Sequence, residues 1–293
     1  MTTAVTEIQR IADRYLRNEA SASMVVMELI QLTEDPSELA RTLPTLAGQP
    51  TKLRELARHL SENEAGCHTV INMIRQRLDS PEPAPSVQVG IERCQKLFDA
   101  SVVLSEESSV ALYALGSSDL LAVATDEVVN VLNDWGVLGH HRDALEVGCG
   151  IARLMVPLSK QLRSVVGTDI SQGMIDAATR RLNGIFNASI QLTDGTDLSA
   201  FPAGSFDLVY SVDTFPYLAL SGYTLVERHF QEIWRVLRPS GHFVLFNYAY
   251  GRSREDINAE VLALAHAEGL QVVRADVSPF RMWNGIGWMM RRE

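Results

Sequence analysis

The sequence predicts an α/β fold, a doubly wound, mostly parallel sheet preceded by an N-terminal α-helical region. Three observations predict it. From residue 143 onward, seven short apolar runs occur, most of them separated by amphipathic segments, as expected of strands buried on both faces and joined by crossover helices. Before residue 80, apolar residues recur instead at helical spacing. Between the two patterns, Gly148-Cys149-Gly150 makes a tight turn after the first apolar run and before an amphipathic segment. A strand, glycine turn and helix start in that order are where α/β sheets hold nucleotide-like ligands.

The length of 293 residues suits a core domain with an appendage. A net charge of −10, spread along the chain, argues against a nucleic-acid partner, which needs clustered Lys and Arg. Cys67, Cys94 and Cys149 are too widely spaced to suggest a metal quartet or a disulfide framework. The first thirty residues lack a basic start followed by an apolar core, and no apolar run approaches the ~20 residues that span a bilayer. These features predict a cytoplasmic chain with no membrane or metal partner.

In chain order, Val5, Ile8, Ile11, Ala12, Tyr15 and Leu16 form the first helical stripe. Apolar segments follow at 24–32 and from about 51 to 78, so residues 1–80 read as a bundle of about four helices. Alternating prolines at 81, 83 and 85 mark a linker. Residues 88–115 read as helix with breaks and 118–134 as a clearer helix, so 81–142 is expected to be a linker and a helical lid or pre-sheet segment. The domain from 143 to 293 carries strands at 143–147, 164–168, 188–193, 206–211, 242–247, 270–276 and 285–291. Helices are expected at 153–162, 172–184, 223–237 and 253–268, and a closing hairpin joins the last two strands.

The glycine turn discriminates between ligands. A dinucleotide fingerprint needs a third glycine at 153, which is Arg153; this disfavours an NAD-dependent oxidoreductase. A nucleoside-sulfonium site wants an acid two residues before the first glycine and a small residue two after the second, places that Glu146 and Ala152 fill. Asp169 ends the second strand about 20 residues on, where a carboxylate can accept both hydroxyls of a ribose; a helix-capping role is the alternative. Asp194-Gly195 follows the third strand and reads either as an adenine contact or as an Asp-Gly turn.

Glu146-Val147-Gly148-Cys149-Gly150, Val166-Gly167-Thr168-Asp169, Phe206-Asp207-Leu208-Val209 and the segment from Ile233 to His242 together resemble class I S-adenosylmethionine-dependent methyltransferases. The resemblance covers roughly residues 110–293. It implies a Rossmann-like seven-stranded sheet of order 3-2-1-4-5-7-6 with the seventh strand antiparallel. It implies S-adenosyl-L-methionine as cofactor and S-adenosyl-L-homocysteine as product. It assigns the cofactor site to Glu146, Gly148, Gly150, Asp169, Ile170, Met174, Asp194, Gly195 and Ser211, with Tyr113 in a lid segment.

Methyl transfer needs an acceptor aligned behind the sulfonium methyl, and a base only if the acceptor keeps its proton. Asp213, Tyr217 and Asn247, after the fourth and fifth strands, are the catalytic candidates, with Tyr248 and Tyr250 beside them. His229 is expected as a partly exposed helix residue. Asp213-Thr214-Phe215-Pro216-Tyr217 is one residue too long for the Asp-Pro-Pro-Tyr signature of nucleic-acid amino methyltransferases and lacks its first proline. No acid accompanies Asn247, which disfavours a metal-assisted catechol type. The expected function is methylation of a small-molecule substrate, with a homodimer through the N-terminal helices; a protein or peptide methyltransferase, or a binding module without catalysis, are the alternatives.

Overall fold

The computed structural model describes residues 3–33, 35–78 and 84–293. Most of the linker predicted at 80–85 therefore lies outside the described residues. In chain order the helices are α1 (Thr3–Leu16), α2 (Ala22–Leu29), α3 (Pro36–Thr42), α4 (Pro50–Glu62), α5 (Glu64–Leu78), α6 (Val87–Leu104), α7 (Glu106–Val110) and α8 (Ser118–Asp134). There follow β1 (Gly139–Val147), α9 (Met155–Ser159), β2 (Leu162–Asp169), α10 (Gln172–Arg181), β3 (Ala188–Leu192) and β4 (Phe206–Val212). The chain ends with α11 (Phe215–Ser221), α12 (Tyr223–Val236), β5 (Leu237–Phe246), α13 (Arg254–Ala267), β6 (Leu270–Val277) and β7 (Gly287–Arg292).

The chain divides into two compact units, one drawn from Met1–Pro81, Ala100–Glu127 and Phe280–Asn284, the other from Glu82–Asp99, Val128–Pro279 and Gly285–Glu293. This departs from the contiguous segments expected at 1–80, 81–142 and 143–293. The expected lid segment is shared: α6 as far as Asp99 belongs with the sheet, and residues 100–127 belong with the N-terminal helices.

In the first unit, helix starts are capped as the residue types dictate. Ser21 Oγ accepts from Met24 N at 3.1 Å, and Asp35 Oδ1 from Ser37 N at 2.9 Å. The Leu and Met stripes serve the core, since Met24, Leu29, Leu53, Leu56 and Leu60 are buried and Leu115 joins them from the later segment. The α3 helix begins at Pro36, where the sequence pattern shows only a proline break; proline's missing N–H is harmless in the first turn.

In the second unit the seven-stranded sheet has the order β3-β2-β1-β4-β5-β7-β6. β1, β2, β3, β4 and β5 pair in parallel, and β7 runs antiparallel to both β5 and β6. Order and hairpin match the expectation. The central strands are apolar on both faces because helices cover both; Leu145, Val209, Val244 and Leu245 are fully buried. β5 begins five residues earlier than the sequence pattern suggests, at Leu237, which pairs with Phe206.

The charges in the strand-entry motifs pair at the opposite edge from the glycine turn. Arg238 Nη1 lies 2.6 Å from Asp207 Oδ2 and its Nη2 2.9 Å from Asp143 Oδ2, joining the middle of β1 to the starts of β4 and β5. Arg163 also donates to Asp143, and its guanidinium is the main cause holding that carboxyl well below its usual range. His229 departs from expectation. It is buried on α12 with Nδ1 2.9 Å from Leu225 O, and burial lowers its pKa.

Candidate functional site

The candidate site lies along the edge where β1, β2, β3, β4 and β5 end. The first turn leaves β1 tethered to its neighbour: Gly148 N and Cys149 N both donate to Thr168 O at 2.9 Å. Gly148 holds φ 73°, and a Cβ there would stand 2.1 Å from Thr214 Oγ1. The position therefore requires glycine on both conformational and steric grounds. Gly150 holds φ 51° and directs its N–H to Asp169 Oδ2 at 2.8 Å. Ala152, the replacement for a third glycine, is itself left-handed at φ 59° and fully buried. An alanine there carries strain of roughly 1 kcal/mol.

Asp169 ends β2 half-buried. Its Oδ2 accepts from Gly150 and its Oδ1 from Ser171 N at 3.0 Å. Burial raises its pKa, and the N–H donors of Ser171, Gly150 and Ile170 oppose that rise. The helix-cap alternative is resolved locally, because Ser171 Oγ is the acceptor for Met174 N at 3.1 Å. Asp169 thus holds the glycine loop in place and keeps carboxylate lone pairs for a further donor; a vicinal diol is a chemical match.

Gly195 and Ile170 lie together beyond the ends of β3 and β2. A Cβ on Gly195 would reach Ile170 Cγ2 at 2.7 Å. Glycine at 195 thus leaves room beside the Ile170 side chain, an apolar group that an aromatic base could contact. Asp194, by contrast, is exposed and engaged in its own turn: Oδ1 accepts from Thr196 N at 2.9 Å and Thr196 Oγ1 at 2.7 Å. Those two donors lower its pKa. Met174 is buried at 1% exposure on α10.

Glu146 and Ser211 sit beneath the loop. Glu146 is 3% exposed, and Tyr210 Oη donates to its Oε2 at 2.9 Å. Burial pushes its carboxyl up to about 8, with the Tyr210 hydrogen bond acting against the rise. Ser211 Oγ donates to Val147 O at 3.1 Å and is fully buried. Both residues brace β1 against β4. Tyr113 belongs to the other compact unit, where its ring stacks on Trp283 with centroids 5.7 Å apart.

The three catalytic candidates converge on one hub. Asp213 (φ 62°) and Asn247 (φ 66°) immediately follow the adjacent strands β4 and β5, both left-handed. Asp213 N donates to Phe246 O and Asn247 N to Ile286 O, fixing both backbones. Asp213 Oδ1 then accepts from Asn247 Nδ2 at 2.6 Å and from Tyr250 Oη at 2.5 Å. Asp and Asn are the non-glycine residues that take up this left-handed backbone most readily. Tyr217 meets Tyr250 edge-on, centroids 6.2 Å apart, and Phe98 at 4.7 Å. Tyr248 turns away, fully buried, with its Oη 2.6 Å from Glu260 Oε1.

Sequence reasoning missed the contribution of α6. Ile91, Cys94, Phe98 and Asp99 approach Gly195, Ser221, Tyr217 and Ser171 respectively. These contacts join residues 72–127 positions apart, and the helical period alone cannot say what a helix packs on.

Comparison with known proteins agrees with the geometry. Residues 145–245 match the family model of a methyltransferase domain. A 2-methyl-6-phytyl-1,4-hydroquinone methyltransferase from Synechocystis sp. is 30% identical over 42% of this chain and 38% of its own length. A demethylmenaquinone methyltransferase from Symbiobacterium thermophilum is 33% identical over 34% of this chain and 40% of its own. The chain thus spans less than half the length of either relative. A phosphoethanolamine N-methyltransferase from Haemonchus contortus, solved with phosphoethanolamine and S-adenosylhomocysteine, shares the fold at a TM-score of 0.53 and 19% identity. That match covers 70% of this chain and 49% of the other.

Proposed function

We propose that this chain, whose residues 145–245 match the family model of a methyltransferase domain, is a class I S-adenosylmethionine-dependent methyltransferase acting on a small-molecule acceptor that carries an apolar ring. The observation that carries the reading is the Asp213 hub, a fixed carboxylate beside Tyr217, Tyr250 and Phe98 at the strand-end edge that also holds Asp169.

When bound, S-adenosylmethionine would supply an electrophilic sulfonium methyl, with S-adenosylhomocysteine as the product. Asp169 would hold the ribose hydroxyls, and the main chain at Gly148 and Gly150 would admit the methionine part. Ile170 and Gly195 would lie beside the adenine. Glu146 and Ser211 act from beneath by fixing the loop, and Met174 by supporting α10. Asp194 serves chiefly as the turn that presents Gly195. The aromatic walls align the acceptor for in-line displacement and exclude water. Asp213 would take up the proton that the acceptor gives up on methylation, and Asn247 and Tyr250 hold its carboxylate in place for that role. The names of both curated relatives specify a quinone or hydroquinone, which supports a phenolic or quinol-type ring as the acceptor class.

The test is methyl transfer from labelled S-adenosylmethionine to a panel of hydroquinones, beside calorimetry with the cofactor. Wild type should bind the cofactor and methylate at least one ring. Asp169→Ala should weaken cofactor binding by roughly 1.5–3 kcal/mol, the range for losing charge-assisted hydrogen bonds. Asp213→Asn should keep cofactor affinity and lose roughly 10²-fold or more in kcat. A chain that binds the cofactor and methylates no ring would sink the acceptor assignment; one that binds no cofactor would sink the whole reading.

A further inference from the structure

Residues 90–99 of α6 run alongside α11, the turn after β3 and the start of α10, at the strand-end edge of the second unit. Near its start, Gly90 lies so close to α11 that a methyl there would stand 2.5 Å from Ser221 Cα. Cys94 Sγ is 3.7 Å from Ser221 Oγ, and the Phe98 ring packs on Tyr217. On the other side, Ile91 closes on Gly195, where an added Cβ would meet Ile91 Cγ2 at 3.4 Å. At Asp99 the helix makes its polar attachment. Asp99 Oδ1 accepts from Ser171 Oγ at 2.6 Å and from Gly173 N at 3.1 Å.

Ser171 is fully buried, and every polar group of its side chain and its N–H is committed. Its N–H goes to Asp169, its hydroxyl hydrogen to Asp99, and its oxygen accepts from Met174 N. One serine therefore ties the carboxylate at the end of β2 to the helix above it. Gly173 N, an otherwise unpaired donor in the first turn of α10, is satisfied by the same Asp99 oxygen.

Resting on the cofactor reading above, we propose that Asp99 is a positioning residue for the cofactor: through Ser171 it latches residues 90–99 over the nucleoside site and sets the ribose-binding Asp169. The latch works by acceptance, since both of its partners are donors. An asparagine oxygen at 99 can take the same two hydrogen bonds, and an alanine can take neither. Loss of the latch leaves the Ser171 hydroxyl hydrogen and Gly173 N to compete for water under the helix. The roof then opens more often, and bound cofactor escapes faster.

The experiment compares Asp99→Ala and Asp99→Asn in the full chain, measuring S-adenosylhomocysteine affinity by calorimetry, its dissociation rate by stopped flow, and thermal stability without ligand. Asp99→Ala should weaken affinity roughly tenfold, with most of the change in the dissociation rate. Asp99→Asn should stay within about threefold of wild type. A second pair guards against a general loss of fold: on a Ser171→Ala background, Asp99→Ala should cost clearly less than it does alone. Unchanged affinity in a folded Asp99→Ala overturns the proposal, as does an Asn variant as impaired as the Ala variant, or full additivity with Ser171→Ala. Wild type that binds no S-adenosylhomocysteine instead overturns the cofactor reading on which the proposal rests.

Discussion

Glu146 shows how burial changes the meaning of a residue type. In sequence it is an acid placed before a glycine turn; in the fold it is a buried partner of Tyr210, with its carboxyl raised from the usual 4.5 to about 8. The sign of the consequence follows from proton counting. Between about pH 4.5 and 8 the folded chain keeps a proton on Glu146 that the unfolded chain has released. Its contribution to stability is complete below the lower value, is lost as pH rises towards the upper one, and is constant beyond it, with a limiting slope of about 1.4 kcal/mol per pH unit. Glu146→Gln keeps an acceptor for Tyr210 and carries no titratable group. The melting temperature of that variant relative to wild type should therefore climb from pH 5 to pH 8 and level off. A difference that stays flat with pH would mean Glu146 is ionised in the fold.

At the scale of elements, the turn after β1 is where backbone, packing and ligand chemistry meet. Gly148→Ala combines left-handed strain with a Cβ placed 2.1 Å from Thr214 Oγ1. The expected loss is on the order of 2–4 kcal/mol in denaturant unfolding, strain and displaced packing together. Adding Thr214→Ala removes the nearest atoms and should recover part of the loss, leaving the strain; no recovery would place the cost in the backbone alone. The sheet's order and the glycine turn were legible in the sequence because strand burial and turn chemistry are local signals. The α11 helix was not: Phe215-Pro216-Tyr217 reads as a loop between a strand and a helix, and its short helix exists because Phe215 buries against Phe230 and Phe243. Asp194 and Asp213 show the same divide among site residues. Both are acids just after strands, but only a partner at a distance separates them. Thr196 turns Asp194 on itself, whereas Asn247 and Tyr250, more than thirty residues on, make Asp213 a hub.

At the scale of the whole molecule, the chain does not segregate its units in sequence. The helical unit takes residues 100–127 and 280–284 from segments that also serve the sheet unit, so its core is completed late in the chain. Leu115, at 1% exposure, packs into the cluster built by Leu29, Leu53 and Leu56, with Leu112 and Leu120 partly buried against it. Proline punctuation at 81–85 suggested a clean boundary, but tertiary contacts do not obey punctuation; apolar residues go where a core can cover them. A chain cut to residues 79–293 would leave Leu115 and its neighbours without that core, each fully buried leucine forfeiting about 1.5–3 kcal/mol. Hydrogen exchange tests this directly. In the truncated chain the amides of 106–121 should lose protection by orders of magnitude relative to the intact protein, while those of β1, β4 and β5 remain protected, because the sheet's own core lies within the other unit. Protection retained across 106–121 would show that this segment is stabilised without the N-terminal helices. Simultaneous loss across the sheet would show that the two units unfold as one.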